Sequence, residues 1–390
     1  MILEKLFRLM AEKKASDIYI SAGAPIAIKI NGVSMPINQQ RMDPAMVQKM
    51  AYELLTPEQI ETFEHTREMN LSRGIADVGN FRINIFFQRA SISIVVRFIL
   101  GEIPKLDTLG LPSALAEIIM EKRGMVLVVG STGSGKSTTL AAMIDHRNSN
   151  RSGHILTVED PIEYLFKHKK SIVNQREIGL DTNNWDNALK NAMRQAPDCI
   201  LIGEIRDKES IGAAMAYAQT GHLCLSTLHA NNSYHALNRI INFFPLENRT
   251  ALYLDLAVSL KAIISQRLVR KPDGSRIATV EILLNTRYVA ELIEGGKIPE
   301  IKEAMEKSMA PGSQTFEQDL FRLYKADVIS LDEALTNSDS PNNLSWLINN
   351  AQVVAAPVSQ TPAGVISAKD EGNGAGGSSA SFSEFTLNLE

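Results

Sequence analysis

The stretch GSTGSGKST, Gly130–Thr138, constrains this chain more than any other. A glycine, four free positions and then Gly135-Lys136-Ser137 form a phosphate-loop pattern, which requires a strand before it and a helix after it. Both flanks are present. Met125-Val126-Leu127-Val128-Val129 reads as a short buried parallel strand, and TTLAAMIDH, Thr138 to His146, carries helical periodicity. Gly130, Ser131, Thr132, Gly133, Ser134, Gly135, Lys136, Ser137 and Thr138 are therefore the candidate nucleotide-binding residues. Glycines let successive amides turn inward around phosphates, and the helix terminus adds partial positive charge. Lys136 can reach the β and γ phosphates of ATP, while the Ser137 hydroxyl can hold Mg²⁺.

From about Leu115 onward, apolar strands alternate with helices. Ile155–Val158, Cys199–Ile202 and His222–Leu228 read as strands, and 184–194 and 208–219 as helices, which predicts a largely parallel sheet covered on both faces. The first hundred residues differ. Leu3, Leu6, Phe7 and Met10 fall at helical spacing, and Ile26/Ile28/Ile30, Phe81/Ile83/Ile85/Phe87 and Ile92/Ile94/Val96/Phe98 alternate with period two. A helical stretch, Pro44 to Phe63, breaks near Thr56-Pro57. The expected organisation is a small α+β domain over 1–100, a Gly- and Pro-containing linker over 101–114, an ATPase domain with C-terminal helices over 115–350, and a disordered Ala/Gly/Ser-rich tail over 351–390.

A length of 390 residues accommodates two cores, and the formal charge of -4 gives no electrostatic case for nucleic acid, so no nucleic-acid partner is expected. The two cysteines, Cys199 and Cys224, lie in apolar runs and read as buried thiols. No run approaches 18 apolar residues, and the start MILEKLFRLMAEKK lacks the order of a signal peptide, so a cytoplasmic protein is expected, with peripheral attachment to a membrane complex left open.

Several acidic and basic residues are candidates for the chemistry. Glu204 ends the apolar strand CILIGE, where a buried carboxylate calls for a partner such as a hydrated metal. TVEDPIEY places Glu159, Asp160 and Glu163 after another strand, a pattern that fits either a solvated turn or a carboxylate that orients water at a phosphate. His222 and His229 bracket the strand in GHLCLSTLH; γ-phosphate sensing and hydrogen bonding within the core both suit them. Arg82, Arg89 and Arg97 interrupt the apolar pattern of two N-terminal strands, suiting a solvated sheet face or a reach toward phosphate.

SDIYISAG, GSTGSGKST, ILTVEDPIEY, VNQREIG, CILIGEIRD and GHLCLSTLHANN together resemble the retraction-type motor ATPases of bacterial type IV pili, within the secretion ATPase superfamily, over residues 1 to about 345. The resemblance implies an α/β fold: a RecA-like P-loop ATPase core behind a smaller α+β PAS-like N-terminal domain, assembled as a homohexamer. It implies that Glu163 activates water, that Glu204 acts with Ser137 near Mg²⁺, and that His229 senses the γ phosphate. Arg176 and Arg194 would complete the catalytic set, with Arg82 and Arg97 approaching phosphate. The implied partners are a primary retraction ATPase paralogue and an inner-membrane pilus platform protein, the latter bringing the cytoplasmic ring to the membrane. TRYVAELIEGG, Thr286 to Gly296, departs from the Ala-Ile-Arg-Asn-Leu-Ile motif of the main retraction ATPase, and the long extension after Phe316 is more like the family's accessory paralogue.

Overall fold

Period-two alternation in the first hundred residues produces a sheet with one buried face. In the computed structural model, which describes residues 2–355 apart from 31, 100, 101 and 309, α1 (Ile2–Glu12) precedes β1 (Asp17–Ser21), β2 (Pro25–Ile30) and β3 (Val33–Arg41). Next come α2 (Pro44–Tyr52), α3 (Pro57–Thr66), β4 (Glu68–Ile75), β5 (Gly79–Gln88) and β6 (Ser91–Ile99). The six strands pair antiparallel in the order β3-β2-β1-β6-β5-β4. Phe81, Ile83 and Ile85 of β5 and Ile92, Ile94 and Val96 of β6 are buried against Leu3, Leu6, Phe7 and Met10 of α1. Each such side chain contributes about 1.5–3 kcal/mol when fully buried. The apolar stripe of α1 is thus consumed by its own sheet. The break at Thr56-Pro57 is real: Thr56 caps α3 in a capping box, with proline in the first turn.

The second sheet has seven strands. Its elements are α4 (Ala114–Ile119), β7 (Gly124–Val129), α5 (Lys136–Asn150), β8 (Gly153–Glu159), β9 (Ser171–Glu177), α6 (Trp185–Ala192), β10 (Cys199–Glu204), α7 (Lys208–Gln219) and β11 (Leu223–Leu228). They continue through α8 (Ser233–Asn242), α9 (Arg249–Ser259), β12 (Leu260–Arg270), β13 (Arg276–Leu284), α10 (Arg287–Glu294), α11 (Ile301–Glu306), α12 (Phe316–Lys325), α13 (Leu331–Thr336) and α14 (Pro341–Ala355). The order is β13-β12-β7-β11-β10-β8-β9, parallel except for the β12/β13 pair. Near-continuous burial of β7, β8, β10 and β11 follows from helices on both faces, which form two apolar layers.

Local periodicity missed β1, β3, β4, β9, β12 and β13, whose sequences lack a clean alternation or sit in long apolar stretches. The stretch read as a linker is anchored part-way: Leu106 is buried in the same layer as Leu115, Val126 and Val128. The tail expected to be disordered lies, from residue 356 on, outside the described residues. Among the described residues no helix is long and apolar enough to cross a membrane.

Candidate functional site: a phosphate-loop cleft

All strands of the parallel core end on the same side, where the phosphate loop follows β7, Glu204 ends β10 and His229 follows β11. The loop turns sharply because two glycines permit it. A Cβ at Gly130 would lie 2.5 Å from the Gln266 carbonyl oxygen, and Gly135, with φ of 90°, caps α5 from the left-handed region. Lys136 donates from Nζ to the carbonyls of Gly130 and Ser131, both at 2.9 Å. Burial lowers its pKa, while the charges of Glu204 and Glu163 oppose that shift. The ammonium is therefore held over the loop facing both carboxylates. From β12, buried Gln266 donates to the Ser134 carbonyl at 2.8 Å and accepts from the Thr139 hydroxyl at 2.7 Å, locking loop and helix together.

β10 is separated from β7 by β11, which leaves room between Lys136 and Glu204. The register of β10 against β11 shifts between Ile202 and Glu204. Glu204 lies 3.4 Å from His229 Nε2 and accepts from Arg206 Nε at 3.0 Å. Arg206 also reaches Asp160 at 3.3 Å, tying the end of β10 to the segment after β8.

That segment, 160–166, carries Glu163 and has no regular structure, so its position depends on side chains around it. Glu177 accepts from the Ile162 amide at 3.1 Å. Gln175 donates to the Tyr164 carbonyl at 2.8 Å and accepts from the Phe166 amide at 2.9 Å. The Tyr164 and Thr138 hydroxyls bond at 2.9 Å, joining the segment to α5. At its base, Glu159 is buried; desolvation pushes its carboxyl up to about 7, against hydrogen bonds from Thr157 and Gln175.

The result is a cleft of about 240 Å³ lined by Thr132, Gly133, Lys136, Ser137, Glu163, Glu204, Arg206, Trp185 and His229 among others. Of the residues singled out from sequence, Thr132, Gly133, Lys136, Ser137, Glu159, Asp160, Glu163, Glu204 and His229 converge here. Others are elsewhere. His222 precedes β11 and so lies at the opposite end of that strand from His229, its ring nitrogen near the Thr220 hydroxyl. Arg176 sits on the face of β9 opposite Gln175 and Glu177, donating to the Asp181 carbonyl at 3.1 Å. Arg194 is exposed in the turn after α6. Arg97 pairs with Asp17 at 2.9 Å, and Arg82 faces Glu177 at 3.7 Å. Gln175, Glu177, Arg206 and Gln266 escaped the motif reading, although the first three lie in or beside quoted motifs; their roles depend on strand neighbours rather than spacing.

The parallel sheet, the phosphate loop and the opposed carboxylates define a P-loop ATPase. The model of the type II/IV secretion system protein family matches residues 1–304. The chain is 46% identical over 349 residues to the type IV pilus ATPase PilU of Pseudomonas aeruginosa, covering 89% of this chain and 91% of that protein. It is 36% identical over 343 residues to PilT, a type IV pilus retraction ATPase of the same organism, covering 88% and 100%. The crystal structure of the pilus retraction motor PilT with bound ADP superposes with a TM-score of 0.81 at 40% identity, covering 88% of this chain and 98% of that one. The chain belongs to the PilT/PilU family of type II/IV secretion ATPases and is an ATP-hydrolysing motor.

Proposed function

We propose that the chain is an accessory motor for type IV pilus retraction and twitching motility, whose cleft binds and hydrolyses Mg-ATP. The observation that carries the hydrolytic reading is the convergence of Lys136, Glu163, Glu204 and His229 on one cleft from four separate parts of the chain. The phosphate loop holds the α and β phosphates, and Lys136 leaves its two carbonyl partners for the β and γ phosphates. Glu163 takes a proton from the attacking water as its oxygen bonds to the γ phosphorus and the bond to the ADP oxygen breaks. His229 and Arg206 hold Glu204 in place.

Ser137 and Glu204 both line this cleft, and one hydroxyl with one carboxylate is the sparse oxygen set that suits Mg²⁺ shared with phosphates. Held there, the ion would supply charge neutralisation to the phosphates.

The identity to PilU, together with the substituted Thr286–Gly296 stretch, supports an accessory role. In this reading a PAS-like N-terminal domain and a RecA-like core form a cytoplasmic homohexamer, working with a primary retraction ATPase paralogue against the inner-membrane pilus platform protein. Arg176 and Arg194, outside the lining of their own cleft, complete the nucleotide site once the ring is assembled. The domains follow the proposed limits of 1–100, 101–114 and 115–350.

ATP hydrolysis by the purified protein and its Glu163→Gln variant, with oligomeric state recorded in the same samples, tests this. Glu163-dependent turnover by a hexamer supports the motor. Full turnover in the variant removes Glu163 from catalysis, and a nucleotide-binding hexamer without turnover points to a structural subunit that reinforces a partner motor.

A further inference from the structure

Glu177 is buried at the end of β9, the edge strand of the second sheet, yet its two carboxylate oxygens serve different parts of the molecule. Oε2 accepts from the amide of Ile162, one residue before Glu163, at 3.1 Å. Oε1 faces Arg82 Nη2 at 3.7 Å, an ion pair with a strand of the N-terminal sheet. A buried carboxylate left without a cation is costly, so Arg82 and Glu177 hold each other in place. On β6 the residue opposite Arg82 is Arg97, whose charge is matched separately by Asp17. Arg82 therefore has Glu177 as its own counter-charge across the two sheets.

We propose that Glu177 is a positioning residue that couples the N-terminal sheet, through Arg82, to the loop that presents Glu163. Movement of the N-terminal sheet pulls on one oxygen of Glu177 and is felt at the Ile162 amide held by the other. Because 160–166 has no regular structure, this amide bond and the Gln175 contacts set where Glu163 points. A hydrolytic group displaced by about 1 Å loses up to a hundredfold in rate, so a small change at Glu177 regulates turnover. The inference rests on the reading of Glu163 as the residue that activates water.

The test is steady-state ATP hydrolysis by the full chain, with kcat and KM resolved, for Arg82→Ala, Arg82→Lys, Glu177→Gln and the Arg82→Ala/Glu177→Gln pair, beside Glu163→Gln. Glu177→Gln keeps an oxygen for the Ile162 amide and removes the charge that Arg82 meets; if it folds poorly, Glu177→Asp takes its place in the cycle, keeping the charge but drawing the carboxylate back by one methylene from Arg82. Arg82→Ala and Glu177→Gln are each expected to lower kcat about tenfold with KM changed by less than about twofold. The double variant falls no further than either single one, because both break one link. Arg82→Lys recovers most of the rate. Unchanged kcat in Arg82→Ala, or losses that multiply in the double variant, overturns the coupling even when Glu163→Gln is inactive. Full turnover by Glu163→Gln instead removes the catalytic reading itself, and the coupling with it.

Discussion

His229 Nε2 stands 3.4 Å from Glu204 Oε1, each at the end of one of two neighbouring parallel strands. The same carboxylate takes a hydrogen bond from Arg206, so three groups on β10, β11 and the turn after β10 fix one another at the mouth of the cleft. His229→Ala leaves Glu204 held by Arg206 alone. The expected outcome is a kcat lower by about a hundredfold with the protein folded, since losing one preorganised group at a site of developing charge costs roughly that much. Single-turnover hydrolysis measures it, and a wild-type rate would show that the pair is structural.

Gln266 links β12 to the phosphate loop over a sequence separation of more than a hundred residues. Gln266→Ala leaves the Thr139 hydroxyl and the Ser134 carbonyl without their partner in a buried place, at a cost of about 1–3 kcal/mol each. Urea unfolding is expected to show a lower midpoint, and ATP titration a weaker affinity. Gln266→Glu would place a carboxylate beside the phosphate loop and weaken ATP binding further. Equal affinity in both variants and wild type would separate the lock from nucleotide binding.

Glu159 makes stability depend on pH in a defined direction. Its folded pKa is raised from 4.5 to about 7 by burial, so the folded state holds a proton that the unfolded state has released. The stabilising contribution of the protonated form is full below pH 4.5 and is lost as pH rises through about 7. Relative to Glu159→Gln, the wild type is expected to lose roughly 3 kcal/mol across that window. Denaturant curves for both proteins from about pH 4 to 8 read it directly; parallel curves at all pH values would mean that the carboxyl is not desolvated.

The two thiols should be silent. Cys199 and Cys224 are fully buried in the parallel sheet, with burial pushing Cys199 up to about 11 and Cys224 higher still. Thiolate is the reactive form, so an aromatic disulfide reagent at neutral pH should label neither in the native protein and both after denaturation. Rapid labelling of the native protein would place at least one of them at a surface.

Much of the fold and of the cleft is legible in the sequence itself. A phosphate loop between an apolar strand and a helix is a local device, as is the period-two burial of Phe81, Ile83 and Ile85, because backbone geometry sets those spacings over a few residues. The class of chemistry follows from Lys136 and Ser137 at the loop and from carboxylates at strand ends. The partners of those carboxylates could not be read in the same way. His222 and His229 look equivalent in GHLCLSTLH, yet a strand between them puts one at the cleft and the other at the far end of the sheet. Arg206 with Asp160, Gln266 with Ser134, and Arg82 with Glu177 became neighbours only through strand order, β10 beside β8, β12 beside β7, and two sheets brought into contact. Spacing records what a residue's own element does, while the meeting of distant elements is settled by which arrangement buries all of their apolar faces at once.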